Sequence, residues 1–412
     1  MPFEIALSGI NAAMADLNTT ANNIANVNTT GFKRSRAEFA NLFAVTPYGL
    51  AQNAIGAGVR VAAVSQQFAQ GDVNFTDNNL DMAISGTGFF TLSRAGQTIY
   101  SRAGQFGVDK DGYVVDPEGD KLQAFPPSAA AIGTTATTFD TGRLGNLQLQ
   151  TTDAAPNATT KITVGTNLPA NATAPTVTPF DPTNSKSYNQ TTSVTSYDSL
   201  GVSHTTTFYY VQSGTPNTWN MYTTVDGTAL SGPDSLVYDS SGALTTPAGG
   251  TLTLPAFTPT DGAAPMNVTL DLSKSTQFSS SFAVNTLTQD GFTTGQLSGI
   301  SVGNDGVVTA NYTNGQSIAL GQVALSNFAN PQGLQQIGDN AWAETYTSGQ
   351  PLRGTAGTSS FGQIQSGALE ASNVDLTSQL VNMITAQRDF QANAQVISTS
   401  DQITQTIINI RN

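Results

Sequence analysis

Side chains that could do chemistry are few in this chain, and their spacing does not combine them. There is one histidine, His204, and no cysteine. A thiolate metal site, a Cys nucleophile and a disulfide framework are therefore excluded, and a His-based metal cluster or relay has little to draw on. His204 lies in an alternating run and reads as a strand residue rather than a ligand or a base. Ser203 beside it makes no triad, because nothing in the sequence fixes its geometry to an Asp. "DKDGYVVDPEGD" carries Asp109, Asp111, Asp116, Glu118 and Asp120. It departs from a calcium loop, since Tyr113 stands at the next ligand position and Gly112 comes too early, so Asp- and Gly-rich hairpin turns are the reading. "GTGFF" lacks the strand-loop-helix setting of a phosphate loop, and its glycines are expected to permit a tight turn beside Phe89 and Phe90. Trp219 and Trp342 are the only tryptophans. With no discernible carboxylate pair, a secreted β-domain protein acting on carbohydrate is a weak alternative. No catalytic, cofactor-binding or metal residue is assigned, and no cofactor is expected.

The composition points away from nucleic acid and anionic membrane. The formal net charge is -13 and the pI about 4.3, whereas phosphate binding needs a clustered basic surface. The group Lys33, Arg34 and Arg36 is expected to meet a helix carboxyl end or a neighbour's acidic residues. Only 10 % of the 412 residues are charged and 39 are glycine, a polar but weakly charged surface suited to β-rich modules with large subunit contacts. The start "MPFEIALSGINAAM" lacks a basic n-region and an apolar h-region, and no apolar run suggests a membrane span, so export without a cleaved signal peptide is the expectation.

The elements are most legible at the two ends. Phe3, Leu7, Ile10, Met14, Leu17, Ala21 and Ile24 alternate spacings of four and three, a heptad seam. Leu376, Leu380, Met383, Phe390, Ala394 and Ile397 repeat the spacing, interrupted by Gln387, and a second seam of Val396, Ile403, Ile407 and Ile410 follows. Ser372 or Asn373 is the expected N-cap of this second helix, with Asp375 in its first turn. Gly31 is read as the C′ residue of the first helix, after the unusual run Asn22, Asn23, Asn26 and Asn28. Between the ends the pattern is β, with hairpin signals at Asp111-Gly112 and Asn314-Gly315. The fold class is therefore multidomain α+β. Paired terminal helices at 1–32 and 370–412 enclose an extended connector at 33–80, a first β domain at 81–145 and 288–369, and an inserted all-β module at 146–287 with Pro-marked boundaries. Both ends of the chain must meet in space.

Three motifs in order carry a resemblance. "TANNIANVNTTGFKRSRAEFANLF", holding Asn22, Asn23, Asn26, Asn28, Gly31 and Phe32, "LDMAISGTGFFTL" and the stretch from "GALEASNVDL" to "IINI" resemble the signatures of the bacterial flagellar rod and hook axial proteins. "TSVTSYDSLGVSHTTTFYYV" resembles the outer-domain motif of the hook members. The resemblance implies a structural subunit of the flagellar hook, self-assembling into a curved flexible tube that works as a universal joint between motor and filament. The alternative is a rod component with an enlarged outer domain. The implied partners are further copies of the chain, the distal rod protein, the hook cap and hook-filament junction proteins, and the type III export apparatus, with no nucleic acid and no membrane insertion. The implied location is extracellular, in the flagellar hook, with the terminal helices lining a channel. Both heptad segments are expected to be mobile in the free chain and helical on assembly.

Overall fold

The structure is a computed structural model that describes residues 2–43, 56–128, 138–149, 153–358 and 360–410. Two helices at the ends enclose a middle that is almost entirely β. The chain divides into two compact units, Met1–Thr151 with Gly299–Asn311 and Ser317–Asn412, and Thr152–Ser298 with Tyr312–Gln316.

In the first unit, helix α1 (Pro2–Ala25) leads into strands β1 (Ser35–Leu42) and β2 (Gly58–Gln66), which pair antiparallel with a bulge at Glu38/Phe39. The stretch expected as an extended connector is thus a hairpin over much of its described length, and its residues 44–55 lie outside the described residues. Strands β3 (Val73–Phe75), β4 (Met82–Ser85), β5 (Phe89–Arg94) and β6 (Gln97–Ser101) follow. The main sheet orders the strands Leu297–Val302, Val307–Tyr312, Ser317–Asn327, Lys121–Phe125, β5, β6, Ala341–Ala343 and Gln335–Gly338. Sequence-distant strands therefore share one core, built on Met82, Ile84, Phe90, Leu92, Leu122, Val323 and Leu325, all fully buried.

The turns explain the register. Ala95 and Gly96 both have positive φ, 49° and 90°, the two-residue turn whose twist matches its flanking strands. Gly86 and Gly88, at φ 117° and 125°, deliver Phe89 and Phe90 into the interior. Phe89 and Trp342 meet edge to face at 5.6 Å, and Trp342 Nε1 donates to Gln66 Oε1 at 2.5 Å, so this indole is core rather than a ligand platform.

The second unit is built from two five-stranded sheets. One is the meander Gln190–Tyr197, Ser203–Gln212, Thr218–Val225, Thr228–Tyr238 and Leu244–Thr246. The other is centred on Lys161–Pro169. Alternation does the sorting: Phe208, Tyr210, Trp219 and Met221 point inward to meet Ile162, Val164, Leu168 and Leu270 in one cluster.

The chain ends meet in the first unit. β3 pairs with Ala368–Glu370 and β4 with Gln363–Ser366, so the returning chain runs beside the departing one. At this junction Glu370 is fully buried between two buried cations. Lys33 Nζ lies 2.5 Å from its Oε1, and Arg102 Nε lies 3.0 Å from its Oε2. Gly71 N donates to Oε1 at 3.0 Å, Lys33 also donates to the Ala69 carbonyl at 2.8 Å, and Arg102 donates to the carbonyls of Gly88 and Gly86. Burial pushes the Lys33 ammonium below its ordinary range, opposed by Glu370 and reinforced by Arg102. Gly31, at φ 70°, donates its N–H to the Glu370 carbonyl at 2.8 Å, and a Cβ there would come within 2.5 Å of the Ala103 nitrogen. It does not cap α1, which ends six residues earlier at Ala25. It is glycine because two backbones touch.

Two outcomes follow in equilibrium urea unfolding. Glu370→Ala leaves two buried cations uncompensated and is expected to cost about 3–5 kcal/mol. Gly104→Ala is expected to cost about 3 kcal/mol, because the new Cβ would overlap the Met82 carbonyl oxygen in the same sheet core.

Candidate assembly interface

The two terminal helices pair antiparallel, and each residue's fate depends on which row of the helix it occupies. Asn23 meets Gln379, and a Cβ on Gly9 would fall on the side-chain amide of Asn393. On α1 the buried positions are Ala6, Ala13, Thr20 and Asn23, with Gly9 and Asp16 between them; Ala12 is buried as well. On α2 (Leu376–Ile410) the facing row is Gln379, Met383, Ala386, Phe390, Asn393, Ile397 and Ser400. Both rows keep the alternation of four and three. Small residues fill much of the α1 row, and Gly9 leaves the room that the Asn393 side chain occupies.

The seam of large residues on α1 is the next row over and faces away from most of this contact. Phe3, Leu7, Met14 and Ala21 are exposed, and Ile10, Leu17 and Ile24 half-buried. On α2, Leu376, Leu380, Phe390, Val396 and Ile403 are exposed and Met383, Ala394 and Ile397 half-buried, while the side chains of Ile407 and Ile410 lie outside the described residues. Val381 and Ile384 are also exposed, at 58 % and 49 %. The pairs 23/379 and 9/393 set a register in which the first residue of α1, Pro2, falls opposite about residue 400 of α2, so the last turns of the longer helix outrun the shorter one. Phe3 lines a hollow of about 390 Å³ with Ala394, Ile397, Ser398 and Asp401.

The asparagines anchor this pair at one end. Asn23 is buried: its Nδ2 donates to the Ser35 carbonyl at 2.8 Å and to Gln379 Oε1 at 3.1 Å, and its Oδ1 accepts from Ser35 N at 2.9 Å. One side chain thus joins α1, β1 and α2. Asn26 donates to the Asn22 carbonyl at 2.9 Å and serves the turn that ends α1, and Asn28 is exposed. Phe32 is buried, and its carbonyl accepts from Asn373 N at 3.4 Å. The N-cap of α2 is Asp375, whose Oδ1 accepts from Ser378 N at 2.6 Å. Asn373 is occupied elsewhere: its Oδ1 accepts from Arg34 N, and its Nδ2 donates to the carbonyls of Gln67 and Ala69. The small-residue row, Asn23, Gln379 and the Lys33–Glu370–Arg102 cluster are the positions that the apolar pattern did not single out. The signal for the first was the spacing 6, 9, 13, 16, 20, 23.

The Asp-rich turns resolve as structure. Asp109 Oδ1 accepts from Asp111 N and Tyr113 N, and Asp116 Oδ1 from Glu118 N and Asp120 N, which are side-chain-closed turns. His204 sits on strand Ser203–Gln212 against Asp198 and Asp226. Among the described residues no helix is long and apolar enough to cross a membrane.

One contact in the helix pair opposes it. Burial, and then the nearby Asp389 carboxylate, hold the Asp16 carboxyl above the ordinary range. A raised acid contributes stability that is present below its unfolded value and lost as pH rises through the folded one. Asp16→Asn is therefore expected to be more heat-stable than the parent at pH 7 and indistinguishable from it at about pH 3, as read by paired thermal melts.

Comparison with known proteins matches these parts in order. Family profiles match residues 3–33 (Flagella basal body rod protein), 83–177 (Flagellar hook protein FlgE/F/G D1 domain), 167–292 (Flagellar basal body protein FlaE D2 domain) and 365–410 (Flagellar basal body rod FlgEFG protein C-terminal). The chain is 41 % identical to the flagellar hook protein FlgE of Escherichia coli K12 and 40 % identical to that of Salmonella typhimurium LT2, over the full length of both chains in each case. It is 33 % identical to that of Rhizobium meliloti, over 98 % of this chain and 97 % of the relative. The crystal structure of Helicobacter pylori flagellar hook protein FlgE2 shares the fold, with a TM-score of 0.55 at 17 % identity over 72 % of this chain and all of that one. From its first helix to its last, the chain belongs to the flagellar hook protein family.

Proposed function

We propose that this chain is a structural subunit of the bacterial flagellar hook, polymerising into a curved, flexible helical tube that passes torque from motor to filament. The observation that carries this reading is the uncovered apolar row along both terminal helices, with Leu7 43 %, Met14 41 % and Ile384 49 % exposed on a chain with few charges. Covering what remains exposed of such a row gains about 1 kcal/mol per large side chain. A head-to-tail contact that does not close makes a filament rather than a ring.

The partners in this reading are neighbouring copies along the helix pair, the distal rod protein at one end of the tube, the cap and hook-filament junction proteins at the other, and the export apparatus before assembly. The polymer lies outside the cell. No reaction is assigned to the chain. The heptad residues from Phe3 to Ile24 and from Leu376 to Ile410 serve assembly, while the Asn22–Phe32 stretch serves the anchor. Full-length likeness to proteins named as hook subunits supports the hook over an enlarged rod component.

The test separates assembly from folding. Leu7→Asn with Ile384→Asn is expected to leave monomer stability within about 1 kcal/mol of the parent, since both side chains lie on the exposed side of their helices. The same pair is expected to raise the critical concentration for polymerisation at least roughly tenfold, measured by sedimentation and electron microscopy. Polymerisation at the parental concentration would remove these rows from the interface.

A further inference from the structure

The single histidine stands at a convergence of acceptors in the second unit. His204 Nδ1 lies 2.7 Å from Asp226 Oδ2, and Nε2 lies 3.4 Å from Asp198 Oδ2. Asp226 is held by Thr205 N, which donates to its Oδ1 at 2.8 Å. A carboxylate accepts only, so Nδ1 carries the proton that meets Asp226, and Nε2 is the ring nitrogen open to a proton or a metal ion. What it faces is another acceptor. Asp198 is fully buried, and its Oδ1 already receives Leu200 N and Val202 N at 2.9 Å each, so Oδ2 is the oxygen aimed at the imidazole. The Asp261 carboxylate adjoins Asp198, and one donor atom each from Asp198, His204 and Asp261 lie within 4.8 Å of one another.

Three ligand atoms within 4.8 Å of one another, one of them on a fully buried side chain, are spaced for a single cation to bridge. We infer that Asp198, His204 and Asp261 form a binding site for a first-row divalent cation of the zinc type, with Asp226 as the outer carboxylate that orients the ring. The spacing fits: bonds of about 2.0–2.2 Å in tetrahedral geometry separate ligand atoms by about 3.4 Å, the distance between Nε2 and Asp198 Oδ2. A carboxylate on the far ring nitrogen is the usual companion of a metal-bound imidazole. Imidazole with carboxylate favours zinc over magnesium or calcium. Asp261 is exposed and gives the ion an entry path. The ligands come from three places: the 198–202 turn, the strand Ser203–Gln212 and the loop between Thr253 and Thr269. That loop already touches the turn, where Ala264 N donates to Ser199 Oγ, and Phe257 meets the imidazole edge-on at 5.3 Å. A bound cation would clamp it to the sheet edge.

The experiment titrates untagged, chelator-stripped full-length chain with zinc chloride by calorimetry, and follows thermal unfolding with and without one equivalent. The expected result is saturable binding of one ion per chain, a higher unfolding temperature and no response to magnesium chloride at the same concentrations. Asp261→Asn, at an exposed position that keeps the fold, is expected to weaken zinc at least tenfold. Asp226→Asn is expected to weaken it about 10- to 100-fold, and His204→Gln to abolish the shift. Absence of saturable binding at millimolar zinc overturns the inference, leaving a proton between the acceptors. Parental affinity in Asp261→Asn overturns it equally, by placing the ion elsewhere.

Discussion

The arrangement depends on one buried carboxylate. Glu370, on the returning chain, takes Lys33 from the departing chain and Arg102 from the sheet between them, with every side chain in the cluster out of water. Such a cluster is costly to bury and costlier to leave incomplete. It therefore gives the first unit a strong preference for one meeting of its two ends. Because Lys33 and Glu370 are fixed, α1 and α2 leave from one place, and Asn23 sets their phase by holding Ser35 and Gln379 together. Beyond that anchor little is held: the α1 contact row runs through the small or polar Ala6, Gly9, Ala13, Asp16 and Thr20, and most of the larger apolar side chains of α1 look outward.

This division explains why asparagine is placed in a helix it disfavours. Asn23 contributes three hydrogen bonds at a junction of three elements, where an apolar residue would leave the Ser35 backbone unpaired. Asn26 and Asn22 serve the turn that follows. A helix made this way has modest stability of its own, and its apolar row is worth more against neighbouring copies than in the single chain. Low charge fits the same purpose, since polar, uncharged contacts between copies exchange with water at small cost as a curved tube turns.

The ends of the molecule were legible because hydrophobic spacing reports large side chains. The heptads at Phe3–Ile24 and Leu376–Ile397 stood out for that reason, and Met383, Phe390 and Ile397 of the second do lie on the α2 contact row; the α1 contact row did not stand out, because Ala6, Gly9, Ala13 and Thr20 carry no hydrophobic signal. Strand alternation and Asn-Gly or Asp-Gly turns made the β middle readable. The 35–66 hairpin was hidden by small residues and a bulge. The cap at Asp375 and the role of Gly31 were misplaced for one cause: both depend on tertiary partners, Asn373 being taken by the Arg34 strand entry and Gly31 by the close approach of Ala103. The Lys33–Glu370 pair spans 337 residues, and no local pattern encodes a contact of that range.

The account's central claim is that the helix pair is anchored at one end and unfinished along the rest until other copies cover it. Residue-level amide hydrogen exchange on monomer and polymer tests it most directly. The account predicts slow exchange in the monomer near the anchor, at residues 31–35 and 373–380, with fast exchange at 3–15 and 396–410, and slow exchange throughout both helices in the polymer. Uniform protection along both helices in the monomer, with no gain on polymerisation, would contradict it.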